Sequence, residues 1–241
     1  MQDILKPIKM ESLREIVVHR IEELILSGKL SIGQKLPPER DLAKLLGVSR
    51  PVVHEGLVEL AGKGLITMKP RHGTIINDYR MQGSITLLMS LFNYHRGSLG
   101  TALLQSMLDL RRLFEVETAR RAARHRTQEH LDALHQALAR ERAADVHDPD
   151  LISEIDFAFH HLVALAGENL IYPLLINSFR QVYTNISSQA FTDPQRIPAI
   201  FDFHRRLVTA IENRDESAAM EIMNDILDNA QRNLAHAAPL M

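Results

Sequence analysis

Two prolines and an acid–base pair, Leu36-Pro37-Pro38-Glu39-Arg40, stand shortly before Val48-Ser49-Arg50-Pro51, and together they fix where helices can start and stop here. Proline cannot continue a preceding helix, yet it fits the first turn of a new one. Leu42, Leu45 and Leu46 repeat at three and four residues, which predicts a short helix, and Gly47 can take the left-handed conformation that ends it. Ser49 suits the N-cap of a second helix with Pro51 in its first turn, and Val53, Leu57 and Leu60 supply a buried stripe. This is the pattern of a helix-turn-helix. The second helix then has its N-terminus free to face outward, with Arg50 and His54 four residues apart on one side. An arginine there can bond a guanine edge in the major groove or clamp a phosphate.

The flanking sequence completes a module. Upstream, Leu13, Ile16, Val17, Ile21, Leu24 and Ile25 predict an amphipathic first helix closed by Ser27-Gly28. Downstream, Leu65–Lys69 and Thr74–Asn77 read as two strands around the turn Pro70-Arg71-His72-Gly73. A helix-turn-helix followed by a hairpin is a winged helix, with Lys69, Arg71 and His72 at the wing tip. The candidate DNA contacts are therefore Arg40, Ser49, Arg50, Pro51, His54, Lys69, Arg71, His72 and Gly73. The structural alternative for Arg40 and Arg50 is surface ion pairing to Glu39 or Asp41.

Charge alone does not identify a nucleic-acid binder. The chain carries a net charge of -2; residues 1–78 hold +2 and the remainder -4, an asymmetry of the right sign but small. With 241 residues and 45% hydrophobic content there is enough chain for two packed domains. The absence of cysteine excludes disulfides and thiolate metal sites. No run of 18 apolar residues and no signal-peptide pattern occurs, so a soluble, cytoplasmic protein is expected.

Residues 79–84 read as a linker. Beyond them the apolar spacing predicts helices near 85–95, 100–125, 128–144, 150–166, 170–190, 196–212 and 215–236. Breaks fall at Gly97-Ser98, Asp148-Pro149, Gly167, Asp193-Pro194 and Asn213-Arg214-Asp215, and Pro173 should kink the fifth helix or start it late. The expected fold class is mainly α: a winged helix-turn-helix over 1–78 and an all-helical bundle of six to seven helices over 85–241.

Some polar residues in that bundle fall on apolar faces. Asp156 and His160, four apart, share a face with Ile152, Phe159 and Val163, and His204 lies in the stripe of Ile197, Ile200, Phe201, Leu207, Val208 and Ile211. A buried carboxylate is costly unless it is paired or bound to a cation. One aspartate and two histidines can ligate a divalent metal such as Zn, Ni or Mn, or can form a buried Asp–His hydrogen bond instead. Arg111 shares a face with Leu104, Met107, Leu108 and Phe114; it can pair with Glu115 within its helix or meet an anionic effector with its planar fork. Tyr172 and Tyr183 can line a ligand cavity or serve as core residues with a bonded hydroxyl. The basic run Arg120–Arg126 reads as a solvated helix end rather than a second nucleic-acid patch.

The N-terminal motifs resemble the GntR family of bacterial regulators almost end to end. The resemblance rests on Ile25–Leu30, Gly33–Ala43, Gly47–Pro51, Gly64-Leu65-Ile66 and His72-Gly73-Thr74. One departure is His54-Glu55, where the family usually has arginine before glutamate. The helical part resembles the FadR subgroup, the FCD type, many of whose members bind a metal through an Asp-x-x-x-His pair and two later histidines. Asp156, His160 and His204 match three of those positions, and the fourth falls on Ile226, which cannot coordinate a metal. Gly167–Asn177, Val182-Tyr183-Thr184 and Phe191–Pro194 are similar to the fatty-acid-responsive branch, which binds long-chain acyl-CoA and lacks the metal set. The resemblance implies a homodimeric regulator of a near-palindromic operator, with a small carboxylate or an acyl-CoA as effector near Arg111, Asp156, His160, His204, Tyr172 and Tyr183. Two other readings stay open: a metal-dependent enzyme with a DNA-binding appendage, and an architectural DNA binder without a ligand.

Overall fold

A computed structural model describes residues 12–94 and 101–237, divided between two compact units at Ser98/Leu99. The first unit begins with α1 (Leu13–Leu26), whose N-terminus carries a capping box between Ser12 and Glu15. Helices α2 (Glu39–Leu46) and α3 (Arg50–Gly62) follow, joined through Gly47 in the left-handed region at φ 68°. Strands β1 (Ile66–Lys69) and β2 (Gly73–Ile76) form an antiparallel wing with Ile66 opposite Ile76, and an isolated bridge joins Lys35 to Ile75. Val53, Leu57 and Leu60 of α3 pack with Val17, Val18 and Ile21 of α1 and with Leu36, Leu65 and Ile76.

Several local expectations change. Leu13, Ile16 and Leu45 are exposed, while Val18 and Glu22 join the buried face of α1. Pro38 sits at the N-cap of α2 rather than inside its first turn, and Ser49 takes the N-cap backbone geometry of α3 without a side-chain capping bond.

The stretch read as a linker is instead docked. Residues Tyr79–Gln82 form a single helical turn, α4; the Ser84 N–H donates to the Lys63 carbonyl, and Asn77 Nδ2 donates to the Gly64 carbonyl. Helix α5 (Ile85–Tyr94), assigned from sequence to the second domain, packs in the first unit. Leu87 enters that core, and Ser90 Oγ donates to the buried Glu22, which also pairs with Lys63 Nζ at 2.6 Å. Gly64 makes this docking possible: it has φ +80°, and an added Cβ would lie 1.9 Å from the Gln82 carbonyl oxygen. Gly64→Ala is expected to cost more than about 4 kcal/mol, because backbone strain and a backbone clash coincide. Thermal unfolding of the variant should show early loss of the first unit; a melting curve like that of the parent would contradict the packing.

The second unit contains α6 (Thr101–His125), α7 (Gln128–Ala143), α8 (Pro149–Ala166), α9 (Tyr172–Ser178), α10 (Arg180–Ala190), α11 (Ile197–Glu212) and α12 (Glu216–Ala237). The expected helix 170–190 starts at Tyr172 with Pro173 in its first turn, the late start rather than the kink, and breaks at Phe179. The expected break at Gly97-Ser98 lies outside the described residues. Phe159, Val163, Leu207, Ile211 and Met223 form the centre of the core. The basic run at the end of α6 is used structurally. Arg121 donates to the Gly167 carbonyl and Arg126 to the Glu212 carbonyl, so both satisfy backbone acceptors at the ends of other helices.

Candidate functional site: a reading helix and a buried carboxylate–histidine cluster

In the first unit all nine sequence-derived candidates reach the surface: Arg40, Ser49, Arg50, Pro51, His54, Lys69, Arg71, His72 and Gly73 are exposed. Glu39 organises the start of α3. One of its oxygens accepts from Arg50 Nε at 3.1 Å, and the other lies 2.8 Å from His54 Nδ1. His54, followed by Arg50, holds the Glu39 carboxyl below the usual range. Arg40 pairs with Asp41 at 3.4 Å. The surface pairing considered for both arginines is therefore present. Exposed pairs of this kind contribute about 0–1 kcal/mol, so they yield readily to a phosphate or a base. A cleft of about 1000 Å³ runs between the Pro37-Pro38 turn and the wing, bordered by Lys35, Lys69, Arg71 and His72.

The second unit buries a polar cluster. Asp156 and His160 project from α8 and His204 from α11, and one ligand-type atom from each lies within 4.8 Å of the others. Asp156 Oδ1 is 3.5 Å from His204 Nε2 and 3.9 Å from His160 Nε2. Metal–ligand bonds of ~2.0–2.1 Å in a tetrahedral site put ligand atoms about 3.3 Å apart, so this opening is close to the size of a divalent ion. The simple alternative, a satisfied Asp–His hydrogen bond, does not form: both Nε2 atoms are buried with no hydrogen-bond partner. The donor set and the orphaned nitrogens therefore fit a metal.

The surroundings are also charged. Arg111 on α6 donates from Nε to Glu115 Oε1 at 2.6 Å and from Nη2 to Tyr183 Oη at 3.0 Å. Tyr183 Oη in turn donates to Asp156 Oδ2 at 2.5 Å. The intrahelical Arg111–Glu115 pair considered from sequence is thus real, and Nη1 is the one guanidinium nitrogen outside these bonds. Burial alone would raise the Glu115 carboxyl, but Arg111 and His160 hold it at about 2. Burial would lower the His160 imidazole, yet Glu115 and Asp156 leave it raised. Burial also raises the Tyr183 hydroxyl, with Asp156 adding to the effect, so it stays a proton donor.

Two cavities meet at this cluster. One is walled mainly by apolar side chains such as Leu104, Leu108, Phe114 and Phe179, with Arg111, Glu115 and Tyr183 as its polar residues alongside Ser187. The other touches Arg111, Asp156, His160, Ile226 and Asn229. Tyr172 departs from expectation. It lies outside both linings and packs edge-on against Phe114, because Pro173 delays α9 and keeps Tyr172 at the helix start.

Comparison with known proteins now decides the family. Residues 13–76 match the model of bacterial regulatory proteins of the gntR family, and residues 106–229 match the FCD domain. The chain belongs to the GntR family, in the branch that carries an FCD domain. It is 30% identical to the HTH-type transcriptional regulator Mce2R of Mycobacterium tuberculosis, over 95% of each chain. It is likewise 30% identical to the Glc operon transcriptional activator of Escherichia coli, over 91% of this chain and 88% of that one. The fatty acid metabolism regulator protein of Yersinia pestis is 26% identical over 90% and 88%. A solved structure of the Listeria monocytogenes regulator Lar shares the fold, with a TM-score of 0.63 at 14% identity, covering 95% of this chain and 99% of that one. The protein is therefore a DNA-binding transcription regulator, and its relatives named here are regulators rather than enzymes. No helix among the described residues is long and apolar enough to cross a membrane.

For a GntR regulator of this branch, the residue that sequence reading overlooked is Glu141. It is buried on α7 with Oε1 2.7 Å from His204 Nδ1. A signal was available: Glu141 continues the stripe of Leu131, Leu134 and Leu138 at helical spacing, and a carboxylate on such a stripe requires a partner.

Proposed function

We propose that this regulator binds a near-palindromic operator as a homodimer and that an anionic metabolite in the helical unit sets its operator affinity. Two-fold protein symmetry selects a two-fold operator. Arg40, Ser49, Arg50, Pro51 and His54 meet the major groove and its phosphates, and Lys69, Arg71, His72 and Gly73 contact DNA from the wing. Work on DNA supports a cytoplasmic location.

The observation that carries the effector reading is the pair of orphaned imidazole nitrogens facing Asp156, beside an arginine that borders both cavities. Asp156, His160 and His204 would hold one divalent metal, Zn, Ni or Mn. A bound cation supplies an open position for a carboxylate oxygen. Arg111 orients the same carboxylate through Nη1, and Tyr183 keeps Asp156 aligned by donating to its second oxygen. The apolar cavity beside Arg111 receives the rest of the molecule. A carboxylate with a hydrocarbon or aromatic body suits these walls better than a polyhydroxylated one. The resemblance to a fatty acid metabolism regulator protein agrees with an apolar ligand.

Selection of an operator from random DNA, followed by fluorescence anisotropy on the Zn2+-loaded chain, tests the reading. Aliphatic or aromatic monocarboxylates should change operator affinity by about 5- to 150-fold, the usual range of allosteric coupling, and Arg111→Ala should abolish the change. An operator affinity indifferent to carboxylates and to acyl-CoA would contradict it.

A further inference from the structure

Glu141 and Glu115 approach the two histidines from the side away from Asp156. Glu141 Oε1 lies 2.7 Å from His204 Nδ1, and Glu115 Oε2 lies 2.8 Å from His160 Nδ1. The first contact is a hydrogen bond; the second is a close charge contact in which His160 Nδ1 makes no hydrogen bond. A carboxylate that accepts the Nδ1 proton fixes the tautomer and leaves the Nε2 lone pair directed at whatever lies opposite. Phe159 stacks on His204 with ring centroids 4.0 Å apart and planes 13° from parallel, so the ring has little freedom to turn.

Charge points the same way. Asp156, Glu115 and Glu141 are all buried, and the guanidinium paired within this cluster is that of Arg111. With neutral imidazoles the cluster carries two negative charges in excess, which a proton on an imidazole or a bound cation offsets. The buried Glu22 of the first unit shows the ordinary solution, a lysine at 2.6 Å. Among the described residues no lysine or arginine forms an ion pair with Glu141; its partner is His204.

We infer that Glu141, with Glu115 behind His160, is a positioning residue for a divalent cation, and that these two carboxylates compensate for Ile226 at the fourth ligand position. Glu141 orients the His204 Nε2 atom toward Asp156, and both carboxylates supply the charge that makes a three-ligand site strong enough to fill. Outer carboxylates of this kind contribute about 10- to 100-fold in metal affinity. The inference rests on the metal reading above.

The test is Zn2+ affinity of the metal-stripped full chain, measured by competition with a chromophoric chelator. Glu141→Gln keeps the size and the Nδ1–H acceptor but removes the charge, so the Kd for Zn2+ should rise about 10-fold or more. Long-range 1H–15N spectra of the Zn2+-loaded parent chain should show His204 protonated at Nδ1 and bound through Nε2. A Kd for Glu141→Gln within twofold of the parent, whatever happens to its melting temperature, overturns the inference and leaves the metal site standing. So does binding through Nδ1, a readout that decides even if the variant does not fold. Failure of the parent chain to bind Zn2+ removes the metal reading itself, and the inference falls with it.

Discussion

Replacing Arg50 with alanine weakens binding to a selected operator by about 5- to 150-fold, the equivalent of 1–3 kcal/mol for one lost base contact. Arg50 begins α3 and is 72% exposed, so its removal leaves the buried stripe of Val53, Leu57 and Leu60 untouched. Its ion pair among the described residues, to Glu39, lies at the surface and costs little to break. The loss should be specific to the preferred base at one position of each half-site. A wing substitution such as Lys69→Ala should behave differently, weakening all sequences alike and lowering the salt dependence by about one charge. Anisotropy at two salt concentrations separates the two classes. Equal affinity of the parent chain and the Arg50 variant would mean that α3 does not read the groove through its N-terminus.

The second large effect lies in the helical unit. Asp156→Ala should reduce Zn2+ affinity by more than about 100-fold, because a direct ligand matters more than the outer carboxylates, whose loss costs about 10- to 100-fold. The same substitution leaves the buried Tyr183 hydroxyl without its acceptor at 2.5 Å while removing one of the buried negative charges. A ligand that binds only the folded state raises its melting temperature. Zn2+ should therefore stabilise the parent chain and leave the variant unchanged. Equal stabilisation of both would remove Asp156 from the site.

The helix-turn-helix was legible because its information is local. Proline, Gly47 and the α3 stripe each constrain their own neighbourhood, and the wing hairpin follows from a strand–turn–strand pattern. Asp156, His160 and His204 were legible for a related reason: polar residues on apolar stripes require partners, and helical spacing shows which stripe they join. What stayed hidden depends on contacts between residues distant in sequence. Nothing near Glu141 indicates that α7 presents it to His204, 63 positions later. Ser90 reaches Glu22 across 68 positions, which is why α5 belongs to the first unit although its own pattern marks only an apolar helix. Leu13 and Ile16 illustrate the limit of periodicity, since either of two adjacent faces satisfied the pattern and packing chose the one with Val18.

The metal content of the untagged chain, purified without chelator and measured by elemental mass spectrometry, tests the central claim most directly. The account predicts close to one divalent transition-metal ion per chain, removed by exhaustive EDTA dialysis, restored by Zn2+, and absent from His204→Ala. Less than about one ion in ten chains, before and after incubation with Zn2+, Ni2+ or Mn2+ at micromolar concentration, would contradict it, since an affinity useful to a regulator fills the site under those conditions.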